Sequence, residues 1–97
     1  LTEAKFAAEH ISVAQGESGE RCDDAHTVEI EGVTYWVMGY LQLLQDPGMV
    51  AVRNRLGFSR EDMLTCAKNV LLAERWYTLT GRDWSAWEVK PTWRLRE

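Results

Sequence analysis

Glu17 stands in the stretch Gln15-Gly16-Glu17-Ser18-Gly19, a carboxyl group beside a hydroxyl and between glycines. Glycine lets a ligand approach the backbone closely, and a carboxyl group so placed has the makings of a general acid/base that gives up a proton and takes one back. A glutamate near a helix end is more often a solvated surface charge, so the assignment depends on what else in the chain converges on it. Gln42 is one such feature, a lone amide inside the apolar run from Trp36 to Leu44. Buried there, it needs hydrogen-bond partners from the core or from a ligand.

The remaining reactive side chains are fewer. Cys22 and Cys66 lack CxxC spacing, and His10 and His26 are not arranged around them, so no metal site is expected. The two cysteines read either as separate thiols or as one disulfide. A disulfide would close a loop of roughly 45 residues, be worth a few kcal/mol and require an oxidising setting. His26 sits in a polar loop and reads as a surface residue, with a general base as the sharper alternative. Asp23, Asp24, Glu29 and Glu31 read as a solvated acidic loop and strand edge.

The chain has 97 residues, enough for one domain with a modest core, and is 45% hydrophobic and 27% charged. Its net charge of -4 argues against a nucleic-acid partner, which needs a basic face. No apolar run approaches the roughly 20 residues of a membrane span, and no secretory leader or cofactor motif is expected. Five tryptophans are many for this length. Some must be core, but a surplus near a polar groove suits stacking on a sugar ring.

These side chains have to be positioned by a small set of elements. Phe6, Ala7, His10, Ile11, Val13 and Ala14 have helical spacing after Thr2 as a partial N-cap. Gly16 and Gly19 mark the end of that helix and leave Glu17 in its last turn. There an acid meets the negative end of the dipole, which favours the proton-donating form. Val28, Ile30, Val33 and Tyr35 alternate with polar residues, and Glu31-Gly32 reads as the turn of a hairpin that must pack on helices. Trp36 to Leu44 reads as buried, and Asp46-Pro47-Gly48 as a break. Met49 to Leu56 forms a short helix stopped by Gly57, and Ser59 with Asp62 resembles a capping box. A further helix capped by Thr65 buries Ala67, Val70, Leu71, Ala73, Trp76 and Tyr77 and ends at Gly81. Asp83 then caps a short turn carrying Trp84 and Trp87.

In order along the chain, Gln15-Gly16-Glu17-Ser18-Gly19, Gly39-Tyr40-Leu41-Gln42, the helical segment from Asn69 to Ala73, and Gly81 through Trp84-Ser85-Ala86-Trp87 form a pattern. It resembles the lysozyme-like lytic transglycosylases, the relatives of soluble lytic transglycosylase and goose-type lysozyme. The likeness runs from about Ala7 to Trp87. Tyr40 departs from the usual leucine, a late Tyr-Asn-x-Gly motif is missing, and Thr65-Cys66 replaces a common Asp-Pro. The overall flavour is that of a phage endolysin or tail-protein domain.

The resemblance implies a mainly helical α+β domain with a lysozyme-like fold and a small β-hairpin, spanning residues 1–97. It implies cleavage of the β-1,4 bond between N-acetylmuramic acid and N-acetylglucosamine in peptidoglycan. Glu17 would protonate the glycosidic oxygen and then serve as base toward water or the muramic acid 6-hydroxyl. A partly apolar surround, for which Tyr35, Trp36, Met38 and Tyr40 are candidates, would support that role. Ser18 and Gln42 match sugar-contacting residues. Tyr35, Tyr40, Trp84 and Trp87 complete the expected substrate-binding set, with core positions as the alternative for the two tryptophans. No cofactor is implied, and Glu17 needs no partner acid, since the substrate acetamido group can stabilise the oxocarbenium-like state. An inverting mechanism would instead place one of the four acids named above roughly 6.5–9.5 Å from Glu17. The expected setting is extracellular or virion-associated, on the bacterial wall. The acidic balance suits a domain tethered within a larger protein, because the wall is itself anionic. Two rivals predict differently: a glycan-binding or structural virion module keeps the groove without turnover, and a helical interaction domain places Glu17 and Gln42 far apart.

Overall fold

A computed structural model describes residues 4–82 and residue 87. The fold is a small α+β domain with three helices and a three-stranded antiparallel sheet among the described residues. In chain order it runs α1 (Ala4–Glu17), β1 (Ala25–Ile30), β2 (Val33–Met38), β3 (Leu43–Leu44), α2 (Pro47–Arg55), a 3-10 turn (Glu61–Leu64) and α3 (Cys66–Leu79). Thr2, Asp83 and Trp84, to which the sequence reading assigned two caps and an aromatic contact, lie outside the described residues.

Helix α1 ends on Glu17. The amide N–H groups of Ser18 and Glu20 both turn back to the Ala14 carbonyl, and Gly19 and Glu20 take positive φ values of 64° each. That left-handed step ends the helix at the acid. The inward face carries Phe6, Glu9, Val13 and Ala14, whereas Ala7 and Ile11, expected inside, are exposed.

The hairpin follows from Glu31-Gly32, whose φ values of 51° and 80° are both positive, as a two-residue type I′ connection requires. The register pairs Ile30 with Val33, Val28 with Tyr35 and His26 with Val37. The strands reach further than their alternation suggested, to Ala25 and Met38, and Leu43–Leu44 adds a third strand opposite Val37 and Met38. Trp36 is therefore a half-exposed strand residue and not a buried one. Its ring lies under the Arg60 guanidinium at 5.4 Å.

Asp46-Pro47-Gly48 is a helix start, not a plain break. The Asp46 carboxylate accepts from the Met49 amide N–H at 2.9 Å, and Pro47 occupies the first turn, where its missing N–H costs nothing. Ser59 and Asp62 exchange backbone-to-side-chain hydrogen bonds of 2.8 and 3.2 Å, as the capping box predicts. Thr65 occupies the N-cap position of α3, but its hydroxyl does not cap the helix. Helix α3 turns Asn69, Leu72, Ala73 and Tyr77 inward and leaves Ala67 and Leu71 outside, a rotation from the expected face. The core joins Phe6 and Val13 of α1, Leu41 and Leu43, Met49 of α2, Met63, and Leu72 and Tyr77 of α3. Cys22 and Cys66 form a disulfide, with Cα atoms 5.1 Å apart, which ties the loop after α1 to the first residue of α3. No helix among the described residues is long and apolar enough to cross a membrane.

Candidate functional site

The turn Gly39–Gln42 is the junction from which the site is built. Gly39 has φ 82°, and a Cβ there would run into the Met63 carbonyl oxygen and Asn69 Nδ2, so only glycine fits. Its N–H donates to the Asp24 carbonyl at 2.7 Å. Asn69, fully buried, serves the turn with both ends of its amide. Its Oδ1 accepts from the Leu41 N–H at 2.9 Å, and its Nδ2 donates to the carbonyls of Met38 at 3.0 Å and Met63 at 2.9 Å. Ser18 Oγ donates to the Tyr40 carbonyl at 2.7 Å, and Trp87 Nε1 donates to the Leu41 carbonyl at 2.9 Å. The stretches that looked separate in the sequence thus meet on one four-residue turn.

The turn sends its side chains in different directions. Leu41 enters the core and Gln42 enters a groove. That groove, of about 480 Å³, is lined by Glu17, His26, Val28, Ile30, Val37, Gln42, Leu44 and Trp87. The volume falls within the range of small-ligand sites. Cross-strand pairing explains the hairpin's share: His26, Val28 and Ile30 project from the same face as Val37, and Tyr35, paired with Val28, belongs to that face too. A smaller cavity of about 220 Å³, lined by Asp46, Met49 and Trp76 among others, shares Gln42, Leu44 and Trp87 with the groove and continues it toward α2 and α3.

Three residues expected to touch substrate are not among those lining the groove: Tyr35 shares the sheet face of Val28 without lining it, and Ser18 and Tyr40 are placed elsewhere. Ser18 is not among the groove-lining residues; its hydroxyl braces the Tyr40 carbonyl, with the Ala14 carbonyl as a second acceptor at 3.2 Å. Tyr40 leaves the turn on the opposite side and lines a shallow surface with His10, Cys66, Ala67, Val70 and Leu71. Burial raises the pKa of its phenol, and the nearby Glu20 carboxylate adds to the shift, so Tyr40 is neutral at physiological pH. Trp36 and Met38 face away from the groove, because they alternate with Tyr35 and Val37 along β2. The apolar lining comes instead from Val28, Ile30, Val37, Leu44 and Trp87. Trp87 is both core and lining: it is buried, yet borders the groove.

Sequence reasoning missed the role of two contributors, Asn69 and Asp24, the second of which it offered only as a solvated acid or a candidate second carboxylate. Asn69 lies inside the helical segment of the pattern, but nothing in its spacing marks it as the hub. Asp24 accepts a 2.9 Å hydrogen bond from Gln42 Nε2 through Oδ2, and the same oxygen lies 3.8 Å from His26 Nδ1. Glu17 is the only carboxylate lining the groove among the described residues. Glu29 pairs with Thr34 on the opposite face of the sheet, Glu31 is in the hairpin turn, and Asp23 is exposed beside Arg21. No cluster of metal-ligating side chains exists among the described residues. The chain matches no protein-family model, no curated protein and no solved structure.

Proposed function

We propose that this domain cleaves the glycan strands of peptidoglycan at the β-1,4 bond between N-acetylmuramic acid and N-acetylglucosamine, on a lysozyme-like fold, with Glu17 as general acid/base. The observation that carries the reading is the convergence of Glu17 and Gln42 on one groove, one from the end of α1 and the other from the Gly39 turn. A helical interaction domain without a groove has no reason to bring them together. Glu17 delivers its proton to the glycosidic oxygen and then recovers one from the attacking group. A single lining carboxylate favours a course in which the substrate's own acetamido group stabilises the developing cation over an inverting pair of acids. Val28, Ile30 and Trp87 offer apolar contact to the sugar faces, and no cofactor enters the scheme. The proposed setting is the bacterial wall, reached from outside the cell or from a virion, with the acidic domain carried by a larger protein.

The test is digestion of purified peptidoglycan by the wild-type domain and by Glu17→Gln, read by mass spectrometry. The expected result is muropeptide release by wild type and a loss of at least about a hundredfold in the variant, the scale of general acid catalysis. Products ending in 1,6-anhydromuramic acid identify the 6-hydroxyl as nucleophile; reducing ends identify water. Equal turnover by both proteins removes Glu17 from the mechanism. Saccharide binding without turnover in either makes the domain a glycan-binding module.

A further inference from the structure

We propose that Asp24 is a positioning residue that sets which end of the Gln42 amide faces the groove. The inference rests on the reading that the groove takes an N-acetylated glycan. Gln42 Nε2 lies 2.9 Å from Asp24 Oδ2 and 2.9 Å from the Gly39 carbonyl oxygen. A primary amide has two N–H hydrogens, and these two acceptors use both. The assignment of nitrogen and oxygen follows from chemistry: an amide oxygen turned toward a carboxylate and a carbonyl would meet only lone pairs. Oε1 is therefore the end left for the groove.

That orientation has a consequence for recognition. An acceptor presented to the groove selects a donor on the ligand, an amide N–H or a hydroxyl of the sugar. The flipped amide would present its NH₂ and select an acceptor instead. The Gly39 carbonyl alone is a weak guide, since it already accepts from the Gln42 backbone N–H at 3.0 Å. The anionic partner is the stronger one, because a hydrogen bond to a charged acceptor is shorter and roughly twice as strong as a neutral one. Asp24 is held by its main chain, through the Gly39 N–H to Asp24 carbonyl bond of 2.7 Å, so truncating its side chain leaves that tie intact. His26 Nδ1 is the other polar neighbour of that oxygen, at 3.8 Å, in a pair exposed enough to contribute little.

The experiment measures kcat and KM for muropeptide release, together with the affinity for tetra-N-acetylchitotetraose followed on the Gln42 side-chain amide signal by NMR. Asp24→Ala is expected to weaken saccharide binding and raise KM by about tenfold, the scale of one charge-assisted hydrogen bond. Asp24→Asn, whose Oδ1 still accepts from Nε2, is expected to stay within about threefold of wild type. Gln42→Asn tolerates the left-handed φ of 50° but is too short to make both contacts, so adding Asp24→Ala to it should change nothing further. An independent arm covers any folding defect of Asp24→Ala. Gln42→Glu sets two carboxylates against each other and should lose binding, and Gln42→Glu with Asp24→Asn should recover part of it. Turnover and binding indifferent to Asp24, or equal losses on Asp24→Ala with Gln42 and with Asn at position 42, overturn the inference and leave the catalytic reading standing. Saccharide binding that depends on Asp24, without turnover by wild type, overturns the catalytic reading and keeps the inference. Neither turnover nor binding overturns both.

Discussion

The two walls of the groove are built in different ways. The wall that carries Glu17 and Gln42 is tied from many directions: Asn69 of α3, Ser18 beyond α1, Asp24 before β1 and Trp87 near the end of the chain all bond to the Gly39–Gln42 turn. The opposite wall is the hairpin, held by its own ladder and by the short β3, with Ile30, Val33 and Trp36 exposed. One wall carries the Glu17 carboxyl and the Gln42 amide into the groove; the other offers apolar surface with few tertiary ties. Non-local side-chain bonds concentrate on the turn that carries Gln42, whereas the hairpin wall rests on local pairing. Under the proposed function the first positions reacting groups and the second only covers substrate.

The contrast is broken most severely at Asn69. Asn69→Leu leaves the Leu41 N–H and the carbonyls of Met38 and Met63 without their partner in the core. Each buried group left unsatisfied costs about 1–3 kcal/mol, so the variant should lose about 3 kcal/mol or more. In a chain of this size that is a fall in melting temperature of about 12 °C or more. A melting curve within a few degrees of wild type would show that the turn does not depend on its hub.

Next in size is the disulfide. Cys22→Ala with Cys66→Ala frees the loop between Glu17 and the hairpin from α3. The expected cost is about 2–4 kcal/mol in urea unfolding, a loss shared by reduced wild type. Because Cys22 follows Glu17 closely in the chain, turnover should fall along with stability. Full activity in the reduced protein would detach the acid's position from the crosslink.

The hairpin should behave oppositely. Ile30 and Val33 are exposed, so Ile30→Ser should change stability by no more than about 0.5 kcal/mol. Ile30 also lines the groove, so the same change should raise KM several-fold with little change in kcat. A loss of kcat at constant KM would mean that this wall takes part in the chemistry and not only in holding substrate.

How much of this was legible in the chain varies with the range of the interaction involved. The Glu31-Gly32 turn, the end of α1 at Glu17 and the Ser59–Asp62 box are local, and the residue types there announce the backbone they need. Gln42 was legible as an amide in want of partners, but Asp24 lies 18 residues away across the whole hairpin, where no spacing rule reaches. Asn69 was hidden for the same reason: hydrophobic periodicity gives no weight to a polar residue buried to serve distant carbonyls, and this turned the expected face of α3 toward Leu71. That Ser18 and Tyr40 point away from the groove was not legible, because the direction of side chains around left-handed turns depends on φ values that sequence does not supply. Cysteine spacing leaves pairing open, and only the folded path brings Cys22 to Cys66.

The smallest expected effect tests whether the ties on the rigid wall extend to its second layer. Asp62 takes the Ser59 backbone N–H and the Lys68 ammonium, at 2.8 and 2.9 Å, and so fastens the 3-10 turn, whose Met63 carbonyl serves Asn69, to α3. The Ser59 N–H above all, and then Lys68, holds the Asp62 carboxyl below its ordinary value of 3.8. A carboxyl with a lower pKa in the folded state than in the unfolded one contributes stability above the unfolded value and loses it as pH falls through the folded one. Wild type should therefore melt slightly higher than Asp62→Asn at neutral pH, and the two curves should converge as the pH drops below the ordinary carboxylate range. The site is exposed to solvent, so the difference should be small and should shrink further in salt. A gap between wild type and Asp62→Asn that stays constant from neutral pH into acid would assign the contribution of Asp62 to the shape of the turn and not to its charge.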